Sequence, residues 1–253
     1  MAEHRFSTPR PIELEVQLPA GELDVETIDG EESLVVVEGD ERLVEQTEVE
    51  LEGDILSIVF RGKRGFGITI AIGDFSFGGG KLRIRVRVPH GSRARIATAS
   101  ADMKLRGRLQ SLETKTASGD LTLAGEVQRD ATLKSVSGDV RVDRVGGDLK
   151  LTTVSGDATV RSIGGSVEGK TVSGDLRLEA VREGNVTVQS VSGDIEVGVE
   201  AGTNLDVDAG TVSGDLSSEV PLGSDAASAA GEGPMLVVRG KSVSGDFRVF
   251  RAG

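Results

Sequence analysis

Seven aspartates of this 253-residue chain stand in one recurring word, Ser-Gly-Asp. Carboxylates repeated at a fixed spacing could bind calcium, which takes six to eight oxygen ligands, or could line an acidic groove. They could equally form turns, because Asp accepts backbone N–H bonds and Gly supplies the positive φ of a tight turn. The seven are Asp120, Asp139, Asp157, Asp175, Asp194, Asp215 and Asp246.

The supply of ligands favours the turn interpretation. One carboxylate and one hydroxyl per repeat is sparse beside the glycine-rich nonapeptide repeat of calcium-binding solenoids. A column of aspartates ~4.8 Å apart in water would also repel by roughly 0.9 kcal/mol per neighbouring pair before screening. We therefore expect turn-forming aspartates, no metal site and no cofactor, with calcium bound along the seven aspartates as the alternative.

Catalytic motifs are not found elsewhere in the sequence. The chain has two histidines, His4 and His90, and no cysteine. It has no G-x-S-x-G, and the segment GDFSFGGGKL lacks the first Gly and the Ser/Thr of a phosphate-binding loop. The sequence therefore predicts a protein that is not an enzyme.

The spacing of the words predicts the elements that carry them. They recur every 18 to 21 residues before a last gap of 31. Apolar and polar residues alternate after each Asp, as in Leu176-Arg177-Leu178, and again before each word, as in residues 185–190. Such alternation indicates strands with one buried face. An antiparallel meander would not superpose the words, whereas parallel stacked coils would.

The predicted fold is all-β: a β-solenoid (single-stranded β-helix) of 18–19-residue coils with an irregular N-terminal β region and no helix. We expect the valine before each word to point inward. The hydroxyl residue before that valine is expected to join a hydrogen-bonded ladder between coils. The hydroxyl residues are Thr116, Ser135, Thr153, Thr171, Ser190, Thr211 and Ser242.

The chain is divided by this pattern into three parts. Residues 1–11 are predicted as an N-terminal tail, and residues 12–90 as an irregular β region continuous with the solenoid. Residues 91–253 are the regular Ser-Gly-Asp solenoid, with a loop insertion at residues 221–234 that is rich in Ala, Ser and Gly.

Charge is distributed unevenly along the N-terminal region. Residues 13–54 hold 16 acidic residues and one Arg, and residues 81–108 hold nine basic residues and one acid. The two segments could be sheet neighbours that neutralise each other, or complementary surfaces for another protein or another copy. Nucleic-acid binding is disfavoured by the net charge of -12 and by the absence of Tyr and Trp.

A candidate interaction surface combines this basic stripe with a Gly/Phe-rich segment at residues 65–80. In KLRIRVRV the basic residues alternate with apolar ones, so they share one face. The phenylalanines either cap the open end of the core or form an adhesive hairpin. The candidate residues are Lys81, Arg83, Arg85, Arg87, Arg93, Arg95, Phe66, Phe75 and Phe77.

The repeats and their lead-in resemble a known group. The segment VRVPHGSRARIATASADMKL, followed by VSGD words every 18–20 residues, is similar to the bacterial "putative adhesin" β-strand-repeat family of unknown function. A similar lead-in, VQLPAGELDV, extends the resemblance to residues 12–253. The resemblance implies a single-stranded β-helix and, by analogy, an envelope-stress or surface-associated system.

Function is predicted from these features as a non-enzymatic β-solenoid scaffold or adhesin-like protein-interaction module. The alternatives are a structural protein that polymerises end to end and a calcium-binding repeat protein. The expected partner is an unidentified protein or a second copy, and membrane contact stays open. With no leader-like segment and no apolar run of ~18 residues, we expect a cytoplasmic location, with a surface-associated one as the alternative.

Overall fold

The computed structural model describes residues 1–61, 82–219 and 233–252. Each regular coil consists of two strands, and equivalent strands of neighbouring coils pair in parallel, in register, with the Ser-Gly-Asp words superposed. Two walls of stacked strands result, which enclose one narrow core. The predicted all-β solenoid is confirmed.

One wall, the front wall, consists of the strands that precede the Ser-Gly-Asp words. They are β8 (Ser111–Ser118), β10 (Ala131–Ser137), β12 (Leu149–Ser155), β14 (Val167–Ser173), β16 (Gly184–Ser192), β18 (Asn204–Ser213) and β20 (Met235–Ser244).

The back wall consists of the strands that follow the words. They are β9 (Leu121–Val127), β11 (Val140–Val145), β13 (Ala158–Ile163), β15 (Leu176–Val181), β17 (Ile195–Val199), β19 (Leu216–Ser218) and β21 (Phe247–Arg251).

The N-terminal region closes one end of the stack with less regular strands. It comprises β1 (Ala2–Ser7), β2 (Glu13–Ile28), β3 (Glu32–Glu38), α1 (Glu41–Glu45), β4 (Thr47–Glu52), β5 (Ile55–Phe60), β6 (Arg83–Pro89) and the long β7 (Arg93–Leu109). Strands β2 and β7 each run through both walls: the first half of β7 pairs with β8 and the second half with β9. The predicted tail at residues 1–11 contains β1, which pairs antiparallel with β3, and α1 is a helix where none was predicted.

The last two coils are stacked out of chain order. Strand β20 pairs with both β16 and β18, and β21 pairs with both β17 and β19. The C-terminal coil therefore lies between the coil of β16 and β17 and the coil of β18 and β19. The expectation that neighbours in sequence are neighbours in the stack fails here, because the 31-residue gap lets the chain skip one layer and return.

In three of the coils a large side chain on one wall is opposed by a small residue on the other. A Cβ added to Gly240 on the front wall would lie 2.1 Å from the ring of Phe247 on the back wall, and one added to Gly169 would lie 2.8 Å from Leu176. The coil of Leu151 and Ala158 lies three coils from Gly240 and one coil from Gly169, and there the large residue, Leu151, is on the front wall and the small one, Ala158, on the back wall. In these three coils a large residue on one wall is matched by a small one on the other, which keeps the interior close-packed.

Candidate functional site

The aspartates form a column that is built into the turns. In each coil, Oδ1 of one aspartate accepts the backbone N–H of the aspartate in the next coil, at N···O distances of 2.8–3.1 Å. In stacking order the column runs Asp102, Asp120, Asp139, Asp157, Asp175, Asp194, Asp246 and Asp215. Within the described ranges no three Asp, Glu or His side chains are grouped so that they could hold a metal ion. Each carboxylate therefore caps the turn of a neighbouring coil rather than its own turn.

Replacing Asp157 tests this role. Asp157→Ala removes the acceptor of the Asp175 N–H and is expected to lower the free energy of unfolding by about 1 kcal/mol. Asp157→Asn keeps Oδ1 and removes one charge from the column, so it should leave stability unchanged or raise it. Urea unfolding of the three proteins checks this, and equal losses for both variants would contradict a hydrogen-bonding role.

The hydroxyl residues point inward, but they do not form the expected ladder between coils. Thr98 donates to Thr116 in the next coil, whereas Thr171 and Ser190 donate to the carbonyl of the glycine in their own turn. Ser135, Thr153 and Ser242 have buried Oγ atoms without a hydrogen-bond partner. Thr211 donates to the carbonyl of Gly245 in the neighbouring coil at 3.2 Å, so bonds between coils are formed at single positions and not as a continuous ladder.

The valines before the words point outward, which corrects the predicted inward orientation. Along β10 the buried residues are Ala131, Leu133 and Ser135, so Val136 falls on the outer face. The alternation of buried and exposed residues begins again only after Gly138, whose φ is +125°. In stacking order the outward valines and their exposed fractions are Val136 (51%), Val154 (42%), Val172 (47%), Val191 (51%), Val243 (51%) and Val212 (83%).

These six valines form a continuous apolar column, which with the residues beside it we call the valine face. A groove at one end of the column is lined by Val191, Val243 and Val212. Lys134, Lys170 and Lys241 lie two residues before three of the valines on the same outer face. The aspartate column lies on the opposite flank, three residues after each valine. Contiguous exposed apolar residues rimmed by charge are typical of interaction sites.

Glu168 holds two lysines in place beside the column. Its carboxylate lies 2.8 Å from Nζ of both Lys150 and Lys170. Hydrogen bonds from these two ammonium groups lower the pKa of Glu168 to about 2.

The titration of Glu168 gives a second test. Because the pKa in the fold lies below the ordinary value of 4.5, the stabilisation by these bonds is complete above pH ~4.5 and is lost as the pH falls toward 2. Carboxyl-carbon NMR should show Glu168 titrating below the other glutamates. With Lys150→Gln and Lys170→Gln together, its midpoint should return toward the ordinary value; an ordinary midpoint in the unmodified protein would contradict the pairing.

The outer face of the back wall is polar by comparison. Arg161 pairs with Asp143 at 3.1 Å, Arg177 pairs with Glu196, and Arg248 pairs with Glu219. Arg177 and Arg248 also lie over the ring of Phe250, at 5.5 and 6.0 Å from its centroid. These arginines of the back wall are thus paired with acidic or aromatic side chains of the same molecule.

The basic stripe is likewise neutralised by its sheet neighbours. Strand β6 pairs in parallel with β2 and antiparallel with β3, so Arg83 pairs with Glu22, Arg85 with Glu38, and Arg87 with Glu26 at 3.0 Å.

On β7 the stripe continues with Arg95, which contacts Glu13, Glu15 and Glu113. Arg93 donates to the side-chain oxygen of Gln110 at 2.6 Å. The other four candidates, Lys81, Phe66, Phe75 and Phe77, lie outside the described residues, as do residues 221–232 of the predicted loop.

The two histidines are placed apart. His90 Nδ1 is hydrogen-bonded to the hydroxyl of Thr27 at 2.6 Å, and His4 on β1 is stacked against Phe6. His90 Nε2 also lies 3.6 Å from a carboxylate oxygen of Asp29, and the Thr27 hydroxyl accepts the backbone N–H of Arg108 at 2.7 Å. The described chain also contains no helix long and apolar enough to cross a bilayer.

Solved structures resemble this chain along nearly its whole length. A protein from Parabacteroides distasonis, named "putative lipid binding protein", is 14% identical, with 97% of this chain and 96% of that chain covered and a TM-score of 0.52. "Putative adhesins" from Parabacteroides distasonis (16% identical, 98% and 96% covered) and Bacteroides fragilis (14%, 98% and 96%) each give a TM-score of 0.47. At such identities the likeness concerns the fold alone.

No curated protein matches the sequence. A family model does: the one described as Toastrack DUF4097 matches residues 13–249, which include the N-terminal strands from β2 onward as well as the repeats. The chain therefore belongs to the Toastrack DUF4097 family.

Proposed function

We propose that this protein is a non-enzymatic scaffold that binds a protein partner through the valine face. The observation that carries the proposal is the valine column, with six neighbouring side chains that are 42–83% exposed. Natural sheets usually place polar residues on the solvent side, and the back wall of this solenoid does so.

The rigidity of the wall supports a binding role. All the strands of the valine face are fixed in parallel register by their neighbours, so the six valines are positioned before any partner arrives. Preorganisation of this kind lowers the entropy cost of association.

End-to-end polymerisation is less favoured by the charges of the terminal strands. Strand β4 at one end of the front wall carries Glu50 and Glu52, and β18 at the other end carries Asp206 and Asp208. Like charges on neighbouring strands destabilise their pairing. Charged edge strands of this kind oppose edge-to-edge association.

A retention experiment tests the proposal. The immobilised protein is incubated with bacterial lysate beside a variant with Val136→Thr, Val154→Thr, Val172→Thr and Val191→Thr, which preserves β-branching but replaces four methyl groups by hydroxyls. A control carries Thr159→Val on the back wall. We expect proteins retained by the unmodified chain and the control but not by the valine variant; equal retention by all three would overturn the proposal.

A further inference from the structure

The valine face carries opposite charges on its two flanks. Lysines lie two residues before several of the valines, and the aspartate column lies three residues after all six. Lys170 is held by Glu168, whereas no carboxylate of the described residues lies within 4.0 Å of the amino group of Lys134 or Lys241. The aspartates use Oδ1 for the turn of the neighbouring coil, which leaves Oδ2 and the negative charge at the surface, except at Asp139, whose Oδ2 pairs with Arg141 at 2.9 Å.

We propose that the valine face binds the same face of a second copy of this chain. The two copies would be related by a two-fold axis that is parallel to the solenoid axis and runs along the valine column. This inference rests on the proposed function, since it names the partner of the same face. Such contacts, in which one patch meets itself, are the usual basis of symmetric dimers.

The flanking charges select this axis. A two-fold axis parallel to the stack reverses the strand direction but keeps each coil at its own level. It therefore places the valines of one copy on those of the other, and the lysine flank of one copy opposite the aspartate flank of its partner. An axis parallel to the strands would instead place lysines on lysines and aspartates on aspartates, where like charges repel.

The size of the face sets the expected strength. Six strands at ~4.8 Å and about five residues from Lys to Asp at ~3.3 Å give roughly 500 Å² per copy, or about 1,000 Å² in all. That is at the lower limit for specific association. The net charge of -12 also opposes contact between copies. We therefore expect a dimer that dissociates in the micromolar range or more weakly.

Single cysteines test the arrangement directly, because the chain has no cysteine of its own. Val154→Cys and Val243→Cys each place a thiol one coil in from an end of the column, at positions that the other axis would bring together. With the proposed axis, each variant alone should form a disulfide-linked dimer under mild oxidation, and a mixture should give no excess of the mixed species. With the other axis, only the mixture would cross-link. Thr159→Cys on the back wall should remain monomeric.

Sedimentation equilibrium supplies the second measurement. The valine-to-threonine variant should be monomeric at concentrations where the unmodified chain dimerises, with an unchanged melting temperature. Lys241→Glu should weaken the dimer about tenfold, since its two symmetric pairs with Asp246 change from attraction to repulsion.

The outcomes separate the two proposals. If neither single-cysteine variant cross-links and the unmodified chain is monomeric, the dimer is wrong. Retention from lysate that still depends on the valines would then leave a different protein as the partner of the same face. If retention is also independent of the valines, the proposed function fails with the dimer.

Discussion

Replacing Gly156 by alanine is expected to lower the free energy of unfolding by about 3–5 kcal/mol, a large part of the stability of a typical domain. Gly156 has φ +116°, and a Cβ there would lie 2.5 Å from the carbonyl oxygen of Gly138 in the preceding coil. The alanine would thus combine backbone strain with a clash against main chain that is fixed in the stack.

Gly53→Ala separates these two causes. Gly53 also has a positive φ, +62°, but a Cβ there meets nothing within 4 Å. Its replacement should cost about 1 kcal/mol, from the backbone conformation alone. Urea unfolding curves of both variants measure the difference. Similar losses for the two would show that close stacking of the turns does not determine the glycine in each word.

Replacing Phe247 by alanine should cost about 3–5 kcal/mol by leaving a cavity in the core, because its side chain is completely buried. Gly240→Leu alone should also be destabilising, since any Cβ there lies 2.1 Å from the Phe247 ring. The double variant recreates the pairing of Leu151 with Ala158, found at equivalent positions three coils away in the stack. We expect it to recover more than half of the stability that the single variants lose.

A double-mutant cycle measures this coupling. Losses that simply add, so that the double variant is less stable than either single one, would contradict the sharing of volume between the walls. Far-UV circular dichroism of all four proteins would verify that the double variant keeps its β structure.

The sequence was sufficient to predict the solenoid, because the words superpose only when coils stack in parallel. The orientation of side chains is predicted less reliably at the corners, where the chain turns from one wall to the other. Counting outward from Leu133 puts Val136 on the surface, whereas counting back from Val140 through the turn puts it inside. The positive φ of Gly138 changes the alternation between the two, and the residue types alone do not show which count to use. The alternation of apolar and polar residues therefore does not predict the valine face.

Other features depend on geometry that no local pattern contains. The chain skips one layer before β18, and only the pairing of β20 with its two neighbours reveals it. The sequence predicts the pairing of the basic and acidic segments as one of two alternatives, the other being complementary surfaces for another protein or another copy. The partners of Arg95 come from β2 and β8, so deciding between the alternatives required knowing that β2 lies beside β7.

The most direct test of the account compares the reactivity of two introduced thiols, because the proposed binding surface exists only if the valines point outward. Val172→Cys and Thr171→Cys occupy neighbouring positions that are 47% and 5% exposed. At protein concentrations low enough to keep the chain monomeric, a thiol reagent should modify position 172 at nearly the rate of the unfolded chain. Position 171 should react at least a hundredfold more slowly, since buried sites open rarely. Fast reaction at position 171 with protection at position 172 would place the valines in the core and contradict the valine face.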